Sequence, residues 1–319
     1  MNLSMDYEAR KMINNIFHKK VSIKPVGNHD LERHMVYVVT DEENHAVVFK
    51  LYFKKNRWNR EVAALRMLSK SEVKVPKLLD YGIQKEKEWM ITEFIEGNTF
   101  STVQEKVSME NQWEIFKEMG KELGKMHSLK IFDFFGNWDE NGNPLDEGKS
   151  YREVFQNRYD TVVKTLFKKK LPHRELHKKW VRYIEKNIYI LEDVKTAVLC
   201  HNDYDMRNVM IKKVHNGWCF RGIIDFEQSF PWDKDLDLVY LYYILSIKGE
   251  GHEKSFLKGY EEMSKLEDSF YKKIKFYLAY IGLYICSWAY DIAPDHYRNG
   301  LNILRELMEE GKNGELISR

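Results

Sequence analysis

The sequence is poor in cysteine, with only Cys200, Cys219 and Cys286 among 319 residues. They are odd in number and widely spaced, with no Cys-x-x-Cys pair, which argues against a disulfide framework and against a structural zinc site. An excess of one charge is also missing, because 51 Lys and Arg are balanced by 49 Asp and Glu to leave a net charge of +2. That balance excludes a strongly basic nucleic-acid-binding protein on bulk charge, and we expect no nucleic-acid partner.

Long apolar runs are absent as well. The longest uncharged run, residues 276–290, is shorter than the ~20 apolar residues that span a bilayer and is rich in tyrosine, so it predicts a buried helix and no membrane partner. The N-terminal residues 1–8 are acidic early and have no apolar core, so we expect no secretory signal and a cytoplasmic location.

What is present fits a folded protein of about two domains, with 43% hydrophobic and 31% charged residues. The first part of the chain predicts a small antiparallel sheet with one helix, because β-rich runs surround a segment of helical spacing. The chain then becomes mainly helical around a short region of strands. The predicted β-rich runs are 34–40, 46–53, 77–82 and 89–95, the helix is 58–69, the helical blocks are 108–195 and 251–311, and the short strand region is 197–226.

A predicted hairpin carries the most informative polar residues. Asn216-Gly217 is a strong signal for a two-residue turn, and it joins the strand-like runs 209–211 and 218–224. A turn there places Asn208 opposite Asp225, with Cβ atoms ~5 Å apart, and Asp203 in the loop just before the hairpin. Such oxygen donors suit Mg²⁺, whereas the plainer interpretation is that all three are ordinary turn residues.

These motifs resemble the aminoglycoside phosphotransferase and choline kinase family, which are small-molecule kinases with a protein-kinase-like fold. The family's His-Gly-Asp loop with Asn five residues later stands here as His201-Asn202-Asp203 with Asn208. Its Ile-Asp-aromatic-Glu segment stands as Ile224-Asp225-Phe226-Glu227, and the later signatures correspond to 232–234 and 237–238. The resemblance implies an α+β, bilobal fold, with a nucleotide-binding lobe over 1–96 and a mainly helical lobe over 97–319 that holds the catalytic loops and the acceptor site.

The resemblance also implies roles for individual residues. Asp203 would be the catalytic carboxylate that accepts the proton of the acceptor hydroxyl, and Asn208 and Asp225 would hold Mg²⁺. Lys50, in a Val-Val-Phe-Lys strand, would contact the nucleotide phosphates. A buried Lys50 needs a carboxylate partner, for which Glu61 is the natural candidate, although Glu61 could instead pair at the surface with a nearby arginine.

Other nucleotide contacts are implied less directly. Backbone groups around Glu93 and Ile95 would bind the adenine edge, and Gly27 is the one glycine available to cover the phosphates because no Gly-x-Gly-x-x-Gly loop is present. Asp205 occupies the place of the lysine that protein kinases carry two residues after the catalytic Asp, which argues against a protein kinase. Glu227 replaces the Gly of the kinase Asp-Phe-Gly triplet, and it could contact metal or stiffen its loop.

The expected activity is transfer of the γ-phosphate of ATP or GTP, through Mg²⁺, to a hydroxyl of a small, cationic acceptor such as an aminoglycoside. Asp205, Trp288 and Asp291 are candidates for binding that acceptor, although an aromatic stripe on a helix is more often core. A metabolic kinase of choline, a sugar or an amino-acid alcohol is an alternative on the same fold. A non-catalytic nucleotide-binding scaffold is the alternative from another class.

Overall fold

The structure is a computed structural model that describes residues 3–27, 32–146, 148 and 150–313. Its helices are α1 (Leu3–Phe17), α2 (Trp58–Leu68), α3 (Phe100–Val103), α4 (Met109–Ser128), α5 (Tyr151–Lys168), α6 (Arg174–Asn187), α7 (Lys234–Ser246), α8 (His252–Glu261), α9 (Asp268–Ala289) and α10 (Pro294–Asn313). Its strands are β1 (Ser22–Val26), β2 (His34–Thr40), β3 (Ala46–Tyr52), β4 (Leu78–Gln84), β5 (Lys87–Glu93), β6 (Asn98–Thr99), β7 (Ile131–Phe132), β8 (Ala197–Cys200), β9 (Val209–Val214), β10 (Gly217–Ile223) and β11 (Phe230–Trp232).

The chain divides into two compact units, each assembled from three segments. The first unit contains residues 1–115, 137–145 and 205–230, and the second contains 116–136, 146–204 and 231–319. The sequence instead predicts two continuous lobes divided at residue 96, and this division stays a prediction. Among the described residues, no helix combines the length and the apolar character needed to cross a membrane.

The first unit is built on an antiparallel sheet in the order β1-β2-β3-β5-β4. The predicted hairpin of 34–40 and 46–53 is confirmed as β2 and β3, and the predicted helix 58–69 is confirmed as α2. Helix α1 was not predicted. It packs Ala9, Met12 and Ile13 against the sheet, and that apolar spacing of three to four residues was the overlooked helical signal.

The second unit is mainly helical, as predicted for the later part of the chain. The uncharged run 276–290 lies almost entirely in α9, whose buried side chains form much of the core. Helices α4 and α8 pack at backbone distance, because a Cβ on Gly120 would lie 1.9 Å from the Phe256 carbonyl oxygen. Only glycine allows that approach.

The predicted turn of the β9–β10 hairpin is wrong by one residue, and each cross-strand partner next to the turn therefore moves by two positions. Gly217 pairs with Val214, so the two-residue turn is formed by residues 215–216, one position earlier than predicted. The register shifts again at an irregularity between Phe220 and Gly222. As a result the Ile224 amide donates to the Asn208 carbonyl at 2.9 Å, and Asn208 lies opposite Ile224 rather than Asp225.

The reason for the earlier turn lies outside the hairpin, at the start of α4. Gly217 has a φ of +133°, and a Cβ there would lie 2.4 Å from the Asn111 side-chain oxygen. That oxygen accepts a hydrogen bond from the Trp218 amide at 3.2 Å. Gly217 is therefore required for this close approach at the first position of β10, and it is not the second residue of the turn.

Candidate active site

The first unit places Lys50 at the centre of a buried cluster of carboxylates. Lys50 is 4% exposed, and its Nζ lies 2.7 Å from Glu61 Oε2 and 2.7 Å from Asp225 Oδ1. Tyr52 also donates to Glu61 Oε2, at 2.6 Å, and the Phe226 amide donates to Glu61 Oε1 at 3.1 Å. The predicted Lys50–Glu61 ion pair is thus present, and Glu61 links it to the segment that carries Asp225.

Electrostatics keep Lys50 and Asp225 of this cluster ionised. Burial alone would lower the pKa of Lys50, but Asp225, Glu61 and Glu227 outweigh burial and hold the pKa above its ordinary value. Burial would likewise raise the pKa of Asp225, and the Lys50 ammonium reverses that effect and holds the pKa below 3.8. The site therefore presents a fixed cation and a fixed carboxylate side by side.

Glu227 is the more buried of the two acids in the 225–227 segment and is surrounded by basic side chains. Its Oε1 lies 2.6 Å from Arg57 Nη1, and its Oε2 lies 2.7 Å from His34 Nδ1. Lys50 and Arg33 are farther away, at 3.5 Å and 3.4 Å. Burial would raise the pKa of Glu227, but Lys50, His34 and Arg57 hold it far below its ordinary value. Sequence reasoning missed Arg57 and His34.

Asn208 is positioned by a short turn that Asp205 organises. Asp205 caps the 3-10 helix Met206–Asn208, because its side chain accepts from the Arg207 amide at 2.7 Å and its carbonyl accepts from the Asn208 amide at 3.0 Å. Both Asp205 carboxylate oxygens also accept from the Arg207 guanidinium. The Asp205 carboxylate is therefore committed to Arg207, which does not favour its predicted use on an acceptor amine.

The loop of the second unit that carries Asp203 is held on both sides of this residue. Asp237 accepts the His201 amide at 2.6 Å and the Asn202 amide at 2.7 Å, and the buried Tyr204 hydroxyl donates to the Met119 carbonyl at 2.9 Å. Asn202, which replaces the family's glycine, has a left-handed φ of +59°. These bonds fix the backbone around the partly exposed Asp203.

Asp237 and His201 belong to a buried polar network. His201 is fully buried, and Asp237 is in turn supported by His127, whose Nε2 lies 3.2 Å from Asp237 Oδ2. The other ring nitrogen of His127 lies 2.9 Å from the Tyr260 hydroxyl. This chain of buried polar groups connects the 201–204 loop to α4, α7 and α8.

A second buried ion cluster surrounds the start of α7. Asp233 caps this helix, and Lys273 of α9 lies 2.7 Å from Asp233 Oδ2 and 2.5 Å from Asp235 Oδ2. Tyr277 also donates to Asp233. Burial and the neighbouring Asp233 raise the pKa of Asp235 to about 6. Asp233 thus fixes the start of α7, and Lys273 was not found from the sequence because it is 40 residues away.

The residues predicted to bind the adenine edge or to cover the phosphates all belong to the first unit. The Glu93 amide donates to the Lys77 carbonyl at 2.9 Å, so its carbonyl is the group that could meet an adenine edge. Ile95 is half-buried after the end of β5. Gly27 follows β1 with a φ of +80°, and residues 28–30 of the predicted phosphate-covering segment lie outside the described residues.

The two predicted acceptor residues of the second unit lie at the end of α9. The Trp288 ring is half-buried and lies 5.6 Å from the His296 ring. Asp291 is exposed, and its Oδ2 lies 2.6 Å from Lys169 Nζ. Their predicted contact with an acceptor stays a prediction.

The oxygen donors of the first unit fit a hard divalent cation. Oxygens of Glu61, Asp225 and Glu227 lie within 4.8 Å of one another. The hydrogen bonds described above occupy the carboxylates of Glu61 and Glu227. Among the described residues, Lys50 contacts Asp225 at Oδ1, which leaves Oδ2 for a metal ion. Asp225 also has a left-handed φ of +66°, a costly conformation that points to function.

The fold and these sites define a kinase-like phosphotransferase. The chain is similar in fold to a thermostable mutant of aminoglycoside phosphotransferase APH(4)-Ia in complex with AMP-PNP and hygromycin B, with a TM-score of 0.69 and 12% identity over 94% of this chain and 98% of that one. It is also similar to the GDP complex of aminoglycoside 2'-phosphotransferase-IIIa, with a TM-score of 0.68 and 14% identity over 96% and 99% of the chains. The gentamicin complex of APH(2")-IIa matches with a TM-score of 0.65 and 17% identity over 96% and 97%.

Sequence comparison names the family. A model described as "Phosphotransferase enzyme family" matches residues 22–268, and the chain belongs to this family. Among curated proteins, the KEOPS complex subunit Bud32 of Pyrococcus abyssi is 30% identical over 101 residues. That match spans 32% of this chain and 44% of the relative, less than half of either protein.

Proposed function

We propose that this protein transfers the γ-phosphoryl group of a nucleoside triphosphate, ATP or GTP, to a hydroxyl of a small acceptor. The observation that carries the proposal is the buried Lys50 ammonium, held at 2.7 Å from both Glu61 and Asp225. Phosphoryl transfer needs mainly positioning and charge neutralisation, and a kinase requires this Lys–Glu pair and the neighbouring Asp to be in place together.

Each residue has one task in this proposal. Lys50 neutralises the nucleotide phosphates, and its raised pKa keeps it protonated throughout the physiological range. Asp203 orients the acceptor hydroxyl and takes its proton, which is why the backbone on both sides of it is fixed. The Glu93 carbonyl and the Ile95 backbone hold the adenine edge.

Asn208 and Asp225 would hold Mg²⁺ in this scheme. Amide and carboxylate oxygens are the donors that Mg²⁺ prefers, with its other positions left to water and phosphates. When bound, the ion neutralises charge on the phosphates. Asp225 is suited to this task because Lys50 holds its pKa low and keeps it ionised.

The acceptor is a small, cationic, hydroxyl-bearing molecule of the aminoglycoside type in this proposal. Its support is the family membership and the solved structures of similar fold, which are described with hygromycin B and gentamicin. Trp288 and Asp291 remain the proposed acceptor contacts of the second unit. Choline, sugars and amino-acid alcohols are the competing acceptors.

Nucleotide consumption against an acceptor panel tests the proposal. The purified protein is incubated with Mg²⁺ and either ATP or GTP, and with kanamycin-type aminoglycosides, choline, hexoses or amino-acid alcohols. We expect acceptor-dependent release of nucleoside diphosphate and a phosphorylated product, detected by mass spectrometry, with one class. Binding of nucleotide without turnover on any acceptor would favour the scaffold alternative.

Asp225→Asn is expected to weaken Mg²⁺-dependent nucleotide binding. The amide is nearly isosteric but cannot supply the negative charge that the metal needs, so we expect ATP affinity in the presence of Mg²⁺ to fall by about tenfold or more. ATP affinity with EDTA present should change far less. Isothermal titration with and without Mg²⁺ measures both.

Asp80→Asn is the matched control for that substitution. Asp80 is an exposed aspartate on β4 of the same unit, and its carboxylate accepts only a local bond from the Tyr81 amide at 2.8 Å. It should leave both titrations unchanged. Equal Mg²⁺ dependence in Asp225→Asn and the wild type would remove Asp225 from the metal site.

A further inference from the structure

Helix α2 is joined to the 225–227 segment at two places, one helical turn apart. Glu61 accepts the Phe226 amide at 3.1 Å, and Arg57 donates to Glu227 at 2.6 Å. Arg57 is the N-cap of α2, and the Glu61 amide donates to its carbonyl at 3.1 Å. Residues spaced by four share one face of a helix, so a single face of α2 holds two consecutive residues of this segment.

The Glu227 end of this connection is closed to other ligands. Glu227 is 1% exposed, and a carboxylate has about four lone-pair positions. Arg57 and His34 each occupy one oxygen at hydrogen-bond distance, and Arg33 and Lys50 approach the same two oxygens within 3.5 Å. A metal ion would have to displace Arg57 or Lys50 to reach Glu227, whereas Asp225 is 26% exposed at its side chain.

We propose that Arg57 is a positioning residue for phosphoryl transfer, which acts by holding Glu227 and thereby fixing Asp225 against Lys50, and that Glu227 is not a metal ligand. The proposal rests on the function proposed above. It resolves the two roles that the sequence leaves open for Glu227 in favour of stiffening the loop.

The second connection has a consequence for regulation. In protein kinases the helix that carries the Glu partner of the strand lysine can be displaced, and its position controls activity. Displacing α2 in this chain would separate Lys50 from Glu61 and would also break the contact of Arg57 with the buried Glu227 carboxylate. Leaving buried charges without partners is strongly unfavourable, so these contacts oppose displacement of α2.

Arg57→Ala is the first test. We expect kcat to fall by about tenfold, because the Asp225 segment loses one charge-assisted bond that fixes it, while nucleotide affinity changes by less than about threefold. Arg57→Lys should recover part of kcat, since an ammonium can reach one Glu227 oxygen. Amide hydrogen exchange should become faster in residues 225–228 and in the first turn of α2.

Glu227→Gln separates the two roles of Glu227. A metal ligand would raise the Mg²⁺ concentration needed for half-maximal activity, as Asp225→Asn should, whereas a positioning carboxylate should leave it within about twofold. The double variant Arg57→Ala with Glu227→Gln should lose little more activity than the worse single variant, because the two changes remove one interaction. Independent, multiplying losses or a tenfold Mg²⁺ shift in Glu227→Gln would overturn the proposal.

Arg66→Ala is the matched control on the same helix. Its guanidinium is exposed and contacts Glu140 and Asn141, so its loss should leave kcat and exchange in 225–228 unchanged. Hydrogen exchange requires no turnover. If the wild-type protein phosphorylates nothing, the proposed function fails, but slow exchange that Arg57→Ala accelerates would still support the connection, and unchanged exchange would refute it.

Discussion

Asp203→Asn is expected to lower kcat by about three orders of magnitude, within the range that general-base catalysis contributes, and to leave nucleotide affinity within about twofold. The amide still accepts a hydrogen bond from the acceptor hydroxyl but cannot take its proton. The loop backbone should not move, because Asp237 holds the two preceding amides and Tyr204 is anchored on Met119. Turnover with the best acceptor of the panel and titration with ATP measure the two quantities.

Because the loop backbone is held by other residues, the expected loss of kcat comes from the Asp203 side chain alone. Asp203 is partly exposed, so its replacement should leave the thermal unfolding temperature close to that of the wild type. Asp193→Asn is the matched control, since Asp193 is an exposed aspartate of the same unit that ends the 3-10 helix Ile188–Asp193, and its loss should change nothing. Asp203→Asn with more than a tenth of wild-type kcat would show that another group is the base.

The Lys50–Glu61 pair could be predicted because its causes are local. The alternation of β3 turns Lys50 inward, and a buried ammonium requires a carboxylate within reach. The helix that follows the strand supplies Glu61 in its first turn. Lys50 and Glu61 are separated by only 11 residues, so the strand and the helix that carry them are neighbours in sequence.

The features that escaped prediction depend on residues distant in sequence. The hairpin turn lies one residue earlier than the Asn-Gly signal implies. The Asn111 side chain occupies the space that a Cβ at position 217 would need, so only glycine fits there. Arg57 and Glu227 are separated by 170 residues, and no local pattern relates them. Contacts of this kind form only when the fold brings distant segments of the chain together. The sequence can therefore indicate which residues are important, but not which of them contact each other.

Among the substitutions considered, loss of the Lys50 ammonium is expected to lower the stability of the protein most. Lys50→Met should lower the free energy of unfolding by about 3–5 kcal/mol at pH 8, the usual cost of removing one partner from a buried ion pair. The change keeps a long apolar stem but leaves Glu61, Asp225 and Glu227 without the ammonium that lies within 3.5 Å of each. Phosphoryl transfer should fall below detection, and urea unfolding followed by circular dichroism measures the stability.

The pH dependence of that variant identifies its cause. Burial raises the pKa of both Glu61 and Asp225, and without Lys50 nothing comparable opposes it, so the folded variant should bind more protons than the unfolded chain between about pH 4 and pH 7. Its stability should therefore fall as pH rises through that window, and more steeply than that of the wild type, in which Lys50 holds the pKa of Asp225 low and opposes the rise in the pKa of Glu61. Lys24→Met, an exposed lysine on β1 of the same sheet, should behave as the wild type at every pH. A Lys50→Met deficit of the same size at pH 5 and pH 8 would mean that lost packing, and not unpaired carboxylates, destabilises the fold.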